Sequence, residues 1–159
     1  MDAKKRNVSV RMSSNDLRRI RELARRMQVR ESDVFRFAVK TLLAKLTPLN
    51  DTRVKGKDLL PVFVDCYADL TRYFEFDTAR LERIINAGVE EPDQRVDRDD
   101  IELLVMAGIQ EGYVHMKLKY ILGRSPEQPD LAGALKEYLL EKYIGSMDVS
   151  ELEPALENA

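Results

Sequence analysis

Hydrophobic and polar residues alternate strictly over Asn7-Val8-Ser9-Val10-Arg11-Met12. Val8, Val10 and Met12 point one way and Asn7, Ser9 and Arg11 the other, which predicts a strand with one buried face. A lone strand leaves both edges unpaired, and even an isolated hairpin is marginal in water. No second strand is evident in the next 35 residues. The expected partner is therefore the same strand of a second copy, giving a two-stranded antiparallel ribbon across a two-fold axis.

After Met12 the period changes. Ser13 or Ser14 is placed to cap a helix, and Ser13 with Asp16 matches an acidic capping box. Leu17, Ile20, Leu23, Ala24 and Met27 follow at helical spacings, with Arg18, Arg19, Arg21, Glu22, Arg25 and Arg26 opposite. Arg18–Glu22 and Glu22–Arg26 are candidate i,i+4 pairs, and a solvated arginine face is the expectation. A short connection at residues 28–31 leads to Ser32, a second candidate cap. The next stripe is Phe35, Ala38, Val39, Leu42, Leu43 and Leu46, ended by Pro48. The pattern is strand, helix, turn, helix. Its expected dimer core is Val8, Val10, Met12, Leu23, Phe35 and Leu42.

Charge sharpens this picture. Residues 1–46 hold 13 Lys and Arg against 5 Asp and Glu, a net of +8, whereas residues 47–159 carry a net of −10. A basic segment attached to an acidic body points to nucleic acid at the amino-terminal end. A two-stranded ribbon fits the DNA major groove, where each base pair shows a distinct donor and acceptor pattern. Arg11 suits guanine, Asn7 suits adenine, and Ser9 donates or accepts. Lys4, Lys5 and Arg6 precede the strand, where they can lie along a phosphate backbone.

Asn7 to Leu46 resembles the ribbon-helix-helix family of DNA-binding proteins, the superfamily of the methionine and Arc repressors. The matching features are Val-x-Val-Arg-Met in the strand, the cap after it and the Leu17…Leu23-Ala24…Met27 stripe. Ser32-Asp33-Val34-Phe35-Arg36 is similar to the family's start of the second helix. The resemblance implies a dimer that inserts its ribbon into the major groove of a palindromic operator. It assigns base reading to Asn7, Ser9 and Arg11, and phosphate contacts to the start of the second helix around Arg30 and Ser32. The family usually has Gly in the turn and a small hydroxyl or amide residue two positions on. Here those positions hold Gln28 and Arg30, which weakens the expectation of a tight left-handed turn.

Residues 48–57, with Pro48 and Gly56 close by or within, read as a linker between domains at 1–47 and 58–159. The body is expected to be all helical, so the fold class is mainly α with one intermolecular strand. Asp58 is a candidate cap for a helix tolerating Pro61, apolar on more than one side from Leu59 to Phe74. Such a helix is buried between chains or lines a pocket. Asp77 caps the next, ended near Gly88. Asp97 with Asp100 opens a third, whose stripe Ile101, Val105, Ile109, Tyr113, Met116, Tyr120 runs through Gly108 and Gly112. Over residues 113–122 a strand is the alternative. Asp130 caps a last helix ended by Gly145, and Val149, Leu152 and Leu156 in the acidic tail are candidates for docking.

Catalytic signatures are missing. His115 and Cys66 are the single histidine and cysteine, so no His/Cys metal site can be built within one chain. That argues against a nickel-sensing member of the family. One cysteine excludes an internal disulfide and fits a reduced cytoplasmic setting. No run approaches the ~20 apolar residues of a membrane helix. The expectation is a non-enzymatic, cofactor-free transcriptional regulator, a repressor, binding double-stranded DNA as a homodimer or tetramer, with an effector or protein partner on the helical body. An antitoxin and an architectural or plasmid-processing DNA-binding protein are the alternatives.

Overall fold

The computed structural model describes residues 6–126 and 130–145 and is mainly helical. The chain divides into two compact units, Met1–Lys45 and Leu46–Ala159.

In the first unit, α1 (Ser14–Met27) and α2 (Glu31–Leu46) form a helical pair. Residues 7–12 have no regular secondary structure and are exposed in the single chain. The expected strand is not seen in the single chain; a strand exists through hydrogen bonds to another backbone segment. Ser13 caps α1, its Oγ accepting from the Asp16 N–H at 3.1 Å and donating to Asp16 Oδ2 at 2.6 Å. Gln28 ends α1 in the left-handed conformation (φ 56°, ψ 39°) despite having a side chain. Its N–H and that of Val29 close a Schellman motif onto the carbonyls of Arg25 and Ala24. The absence of glycine therefore does not prevent the tight turn, because two backbone hydrogen bonds offset the strain. Ser32 does not cap α2 but lies in its first turn. The Arg30 carbonyl accepts from the N–H groups of Asp33 and Val34 at 2.9 and 3.3 Å, placing Arg30 at the cap.

The longest described helix of the second unit is α3 (Leu60–Phe74). It packs on α5 (Arg98–Ala107) and α7 (Leu131–Tyr143), while α4 (Thr78–Ile85) covers α5 and α6 (Glu111–Leu122) lies between α5 and α7. Leu60, Phe63, Val64, Tyr67 and Leu70 of α3 join Leu81, Ile85, Ile101, Leu104, Val114, Leu118, Leu135 and Leu139 in one core. The many-sided apolarity of α3 is thus explained within its own unit: α5, α7 and the Gly56–Leu59 turn pack against it, while α5 is the helix that touches all the others. Cys66 leaves helical geometry (φ −136°, ψ 15°), and its thiol donates to the Val62 carbonyl.

The segment expected as a linker contributes to this unit. Thr47–Asn50 and Gly56–Leu59 are 3-10 turns, and Asp58 sits in the second of them rather than capping α3. Gly56 is buried at φ +60°, and a Cβ there would lie 2.0 Å from the Gln94 carbonyl oxygen. Asn86 clamps the intervening loop, donating to the Val96 carbonyl and accepting from the Val96 N–H, both at 2.9 Å. Asp77 and Asp130 cap α4 and α7 as expected, through the N–H groups of Arg80 and Gly133.

The continuous helix expected through Gly108 is two helices. The chain turns at 108–110, where the N–H groups of Gly108 and Ile109 bond back to Val105 and Met106. Gly108 stands against the Ala68 backbone of α3. Residues 113–122 are helical, which decides against a strand.

Candidate nucleic-acid interface

The first unit buries almost nothing by itself. Among its described residues only Ala24 and Val34 are buried hydrophobics. Val8 and Val10 are 84% and 77% exposed, and Met12, Leu23, Met27 and Val29 are also exposed. On α2, Phe37, Val39, Leu42 and Leu43 are exposed, with Phe35 half-buried. Phe35, Val39, Leu42 and Leu43 recur at i, i+4, i+7 and i+8, so they share one face. The predicted α2 stripe is real, but in one chain it faces water. Phe37, the most exposed apolar residue of α2, was not in the expected core. No periodic signal marks it, because it stands off both stripes.

The polar side of the residue 7–12 segment is equally open. Asn7, Ser9 and Arg11 are exposed, as is Arg6. Lys4 and Lys5, the other expected phosphate contacts, lie outside the described residues, as do residues 146–159 with Val149, Leu152 and Leu156. Among the described residues no carboxylate pairs with Arg11, Arg19, Arg25 or Arg26. The expected pairs of Glu22 with Arg18 and Arg26 do not form. Arg18 instead donates to Asn15 Oδ1 at 2.8 Å, and Arg21 stands 3.5 Å from Glu31.

At the start of α2, Arg30 grips Asp33 with two bonds, Nε to Oδ2 at 2.9 Å and Nη2 to Oδ1 at 3.1 Å. Arg36 reaches the same carboxylate at 3.2 Å. The hydrogen bond from Arg30 holds the Asp33 carboxyl below its ordinary range and lifts the guanidinium. Arg30 is thus engaged within its own helix, while Ser32 is exposed beside it.

The second unit holds a buried polar cluster that no local sequence signal marks. Asp100 is 2% exposed. Its Oδ1 accepts from the Tyr138 hydroxyl at 2.9 Å, and its Oδ2 accepts from Lys142 Nζ at 2.6 Å and the Tyr143 hydroxyl at 2.5 Å. The donors come from α7, some 40 residues away in sequence, and Lys142 also reaches Asp97 at 3.1 Å. Burial pulls the Lys142 ammonium down, but its hydrogen bonds to Asp100 and Asp97 outweigh that and raise it above the ordinary lysine value. Burial and the bond to Asp100 push the Tyr143 hydroxyl up. A cleft of about 560 Å³ opens over this cluster, walled by Arg98, Lys117, Tyr120 and Ile121.

Among the described residues no group of three or more His, Cys, Asp or Glu is placed to hold a metal ion, and no helix is long and apolar enough to cross a membrane. No protein-family model, curated protein or solved structure matches the chain.

Proposed function

We propose that this protein is a sequence-specific DNA-binding transcriptional regulator. It acts as a homodimer whose residue 7–12 segments pair into an antiparallel ribbon that enters the major groove. The observation that carries this reading is the first unit's lack of a core. A helical pair that buries only Ala24 and Val34 while exposing Val8, Val10, Leu42 and Leu43 cannot offset the entropy of ordering by itself. A second copy supplies what is missing on both counts. It gives each segment a strand to bond to, and it covers the Phe35–Leu43 face of α2.

Pairing also decides which residues are left open. With Val8, Val10 and Met12 turned inward, the outer ribbon face carries Asn7, Ser9 and Arg11 from each chain. Two-fold symmetry doubles each contact, so the operator is roughly palindromic. Phosphate contacts supply affinity and the ribbon supplies choice of sequence. Arg6, Lys4 and Lys5 are assigned to phosphate. Arg30 serves there only if it exchanges Asp33 for DNA, and Ser32 is free to donate. The resemblance to ribbon-helix-helix proteins supports the same assignment.

The test is selection of binding sites from random duplex DNA at ~150 mM salt, where non-specific phosphate binding is weak. A palindromic consensus is expected. Arg11→Ala should keep salt-sensitive weak binding and lose discrimination, about 1–3 kcal/mol per lost bidentate contact. A footprint unchanged in position and affinity in that variant would overturn the reading.

A further inference from the structure

The DNA-binding reading leaves the arginine face of α1 without a task. Arg18, Arg19, Arg21, Arg25 and Arg26 are all exposed. At about 100° per residue they span roughly 160° of the helix surface, opposite the apolar stripe from Leu17 to Met27. Of the five, only Arg21 stands within ion-pair distance of a carboxylate among the described residues, Glu31 at 3.5 Å. Arg18 donates to the Asn15 amide oxygen. Glu22 lies on the same face and pairs with none of them. Arginines three or four residues apart, Arg18 with Arg21 and Arg21 with Arg25, repel one another and work against the helix that carries them. A face serving solubility alone intersperses both signs.

We propose that this face grips the phosphate backbone of the duplex that flanks the operator, without regard to base sequence. The inference rests on the DNA-binding reading and adds a second contact to it. Three observations favour that occupant. First, the charges are complementary. The face sets five arginines against one glutamate, a net of +4 in each copy, and a duplex presents about one phosphate charge per 1.7 Å of its axis. Second, every basic residue of α1 is arginine. A guanidinium offers a planar fork of donors that matches a phosphate bidentately, which an ammonium does not. Third, the face is continuous with the segment assigned to the groove. Ser13 alone separates residues 7–12 from α1, and Arg18 lies only about 6 Å along the helix from its start. A ribbon seated in the groove therefore brings one arginine face with each of its strands.

Arg18 and Arg25 stand at the middle of the face, about 10 Å apart along the helix and nearly in line. Both are exposed, and glutamine is a comparable helix former, so replacing them leaves α1 intact. The full-length chain is measured on a duplex that carries the selected consensus between two stretches of unrelated sequence. Affinity is followed against salt for the wild type, for Arg18→Gln/Arg25→Gln and for Lys40→Gln/Lys45→Gln, in which two exposed lysines of α2 give up the same charge from the same unit. Each lost phosphate contact takes about 0.9 from the slope of log K against log salt, so the dimeric arginine variant should lose about 3 to 4 and the lysine variant much less. A loss below about 2, or an equal loss in the lysine variant, overturns the proposal. Hydroxyl-radical footprinting reads the same contact by position. Protection should extend past the consensus on both sides in the wild type and shrink back to it in Arg18→Gln/Arg25→Gln, with its centre unmoved. A footprint of unchanged width also overturns the proposal. The DNA-binding reading fails on a different result, a selection that returns no consensus. The slope comparison is then made on random duplex, where a loss confined to the arginine variant upholds the backbone contact and no loss removes it.

Discussion

Replacing Asp100 by Asn changes one charge and almost no volume, at the best-connected polar atom pair of the second unit. The carboxylate accepts three hydrogen bonds, two of them at Oδ2 from Lys142 and Tyr143. An amide turned with its oxygen toward Lys142 keeps those two as weaker bonds and asks the Tyr138 hydroxyl to accept instead of donate. The other orientation sets an NH2 group against the Lys142 ammonium. Charge-assisted bonds are worth about 1.5–3 kcal/mol, against ~1 kcal/mol for neutral ones. Losing the charge across two strong bonds therefore costs about 2 kcal/mol. Asp100→Ala, which leaves three donors without their acceptor, costs about 3–5 kcal/mol. The assay is urea unfolding followed by circular dichroism at neutral pH, where a unit of this size should also lose roughly 4–8 °C of Tm per kcal/mol. The pH profile gives a second arm. Folded Lys142 and Tyr143 both titrate above their ordinary values of 10.5 and 10.0. From about pH 10 upward the unfolded chain releases these protons while the folded chain holds them. The folded state then binds more protons, and stability falls as pH rises. The contribution is complete below pH 10 and is lost through the folded values above it. In Asp100→Asn this alkaline loss should shrink, because the bonds that raise both groups are weakened. An Asp100→Asn variant with the wild-type urea midpoint and the wild-type alkaline slope would refute the reasoning.

Three further outcomes follow from particular contacts. Gly56→Ala should destabilise the second unit by about 3 kcal/mol or more, since its Cβ would meet a backbone oxygen at 2.0 Å. Gly123→Ala, at φ +65° in open space, should cost only the ~1 kcal/mol of left-handed strain; urea midpoints of the two compare clash with strain. Gln28→Gly should stabilise the first unit by about 0.5–1 kcal/mol by relieving a left-handed side-chain residue, seen as a raised Tm at fixed protein concentration. Leu42→Ala should weaken pairing of the first unit roughly 30- to 150-fold by sedimentation equilibrium. Each copy loses about 1–1.5 kcal/mol of burial from a side chain 53% exposed in one chain, and the two-fold axis counts it twice.

Local chemistry made much of this molecule legible in the sequence. The caps Ser13, Asp77 and Asp130 each act on the N–H group three residues on, so their neighbours define them completely. The stripes of α1 and α2 follow from a period of 3.6, and so does the helical state of residues 113–122. What the sequence did not reveal depends, apart from the local turn at Gln28, on atoms distant along the chain. Gln28 takes a left-handed turn because the carbonyls of Ala24 and Arg25 await its loop, a balance that residue type alone cannot weigh. The break at Gly108 comes where the chain passes against Ala68. Asp100 looked like part of a helix start until α7 brought Tyr138, Lys142 and Tyr143 onto its carboxylate. The two-sided apolarity of α3 was visible, but only packing identified the helices that cover it. For the first unit the order is reversed. The alternation of residues 7–12 is plain in the sequence, whereas the single chain shows no strand there, because a strand exists only through hydrogen bonds to a second backbone segment.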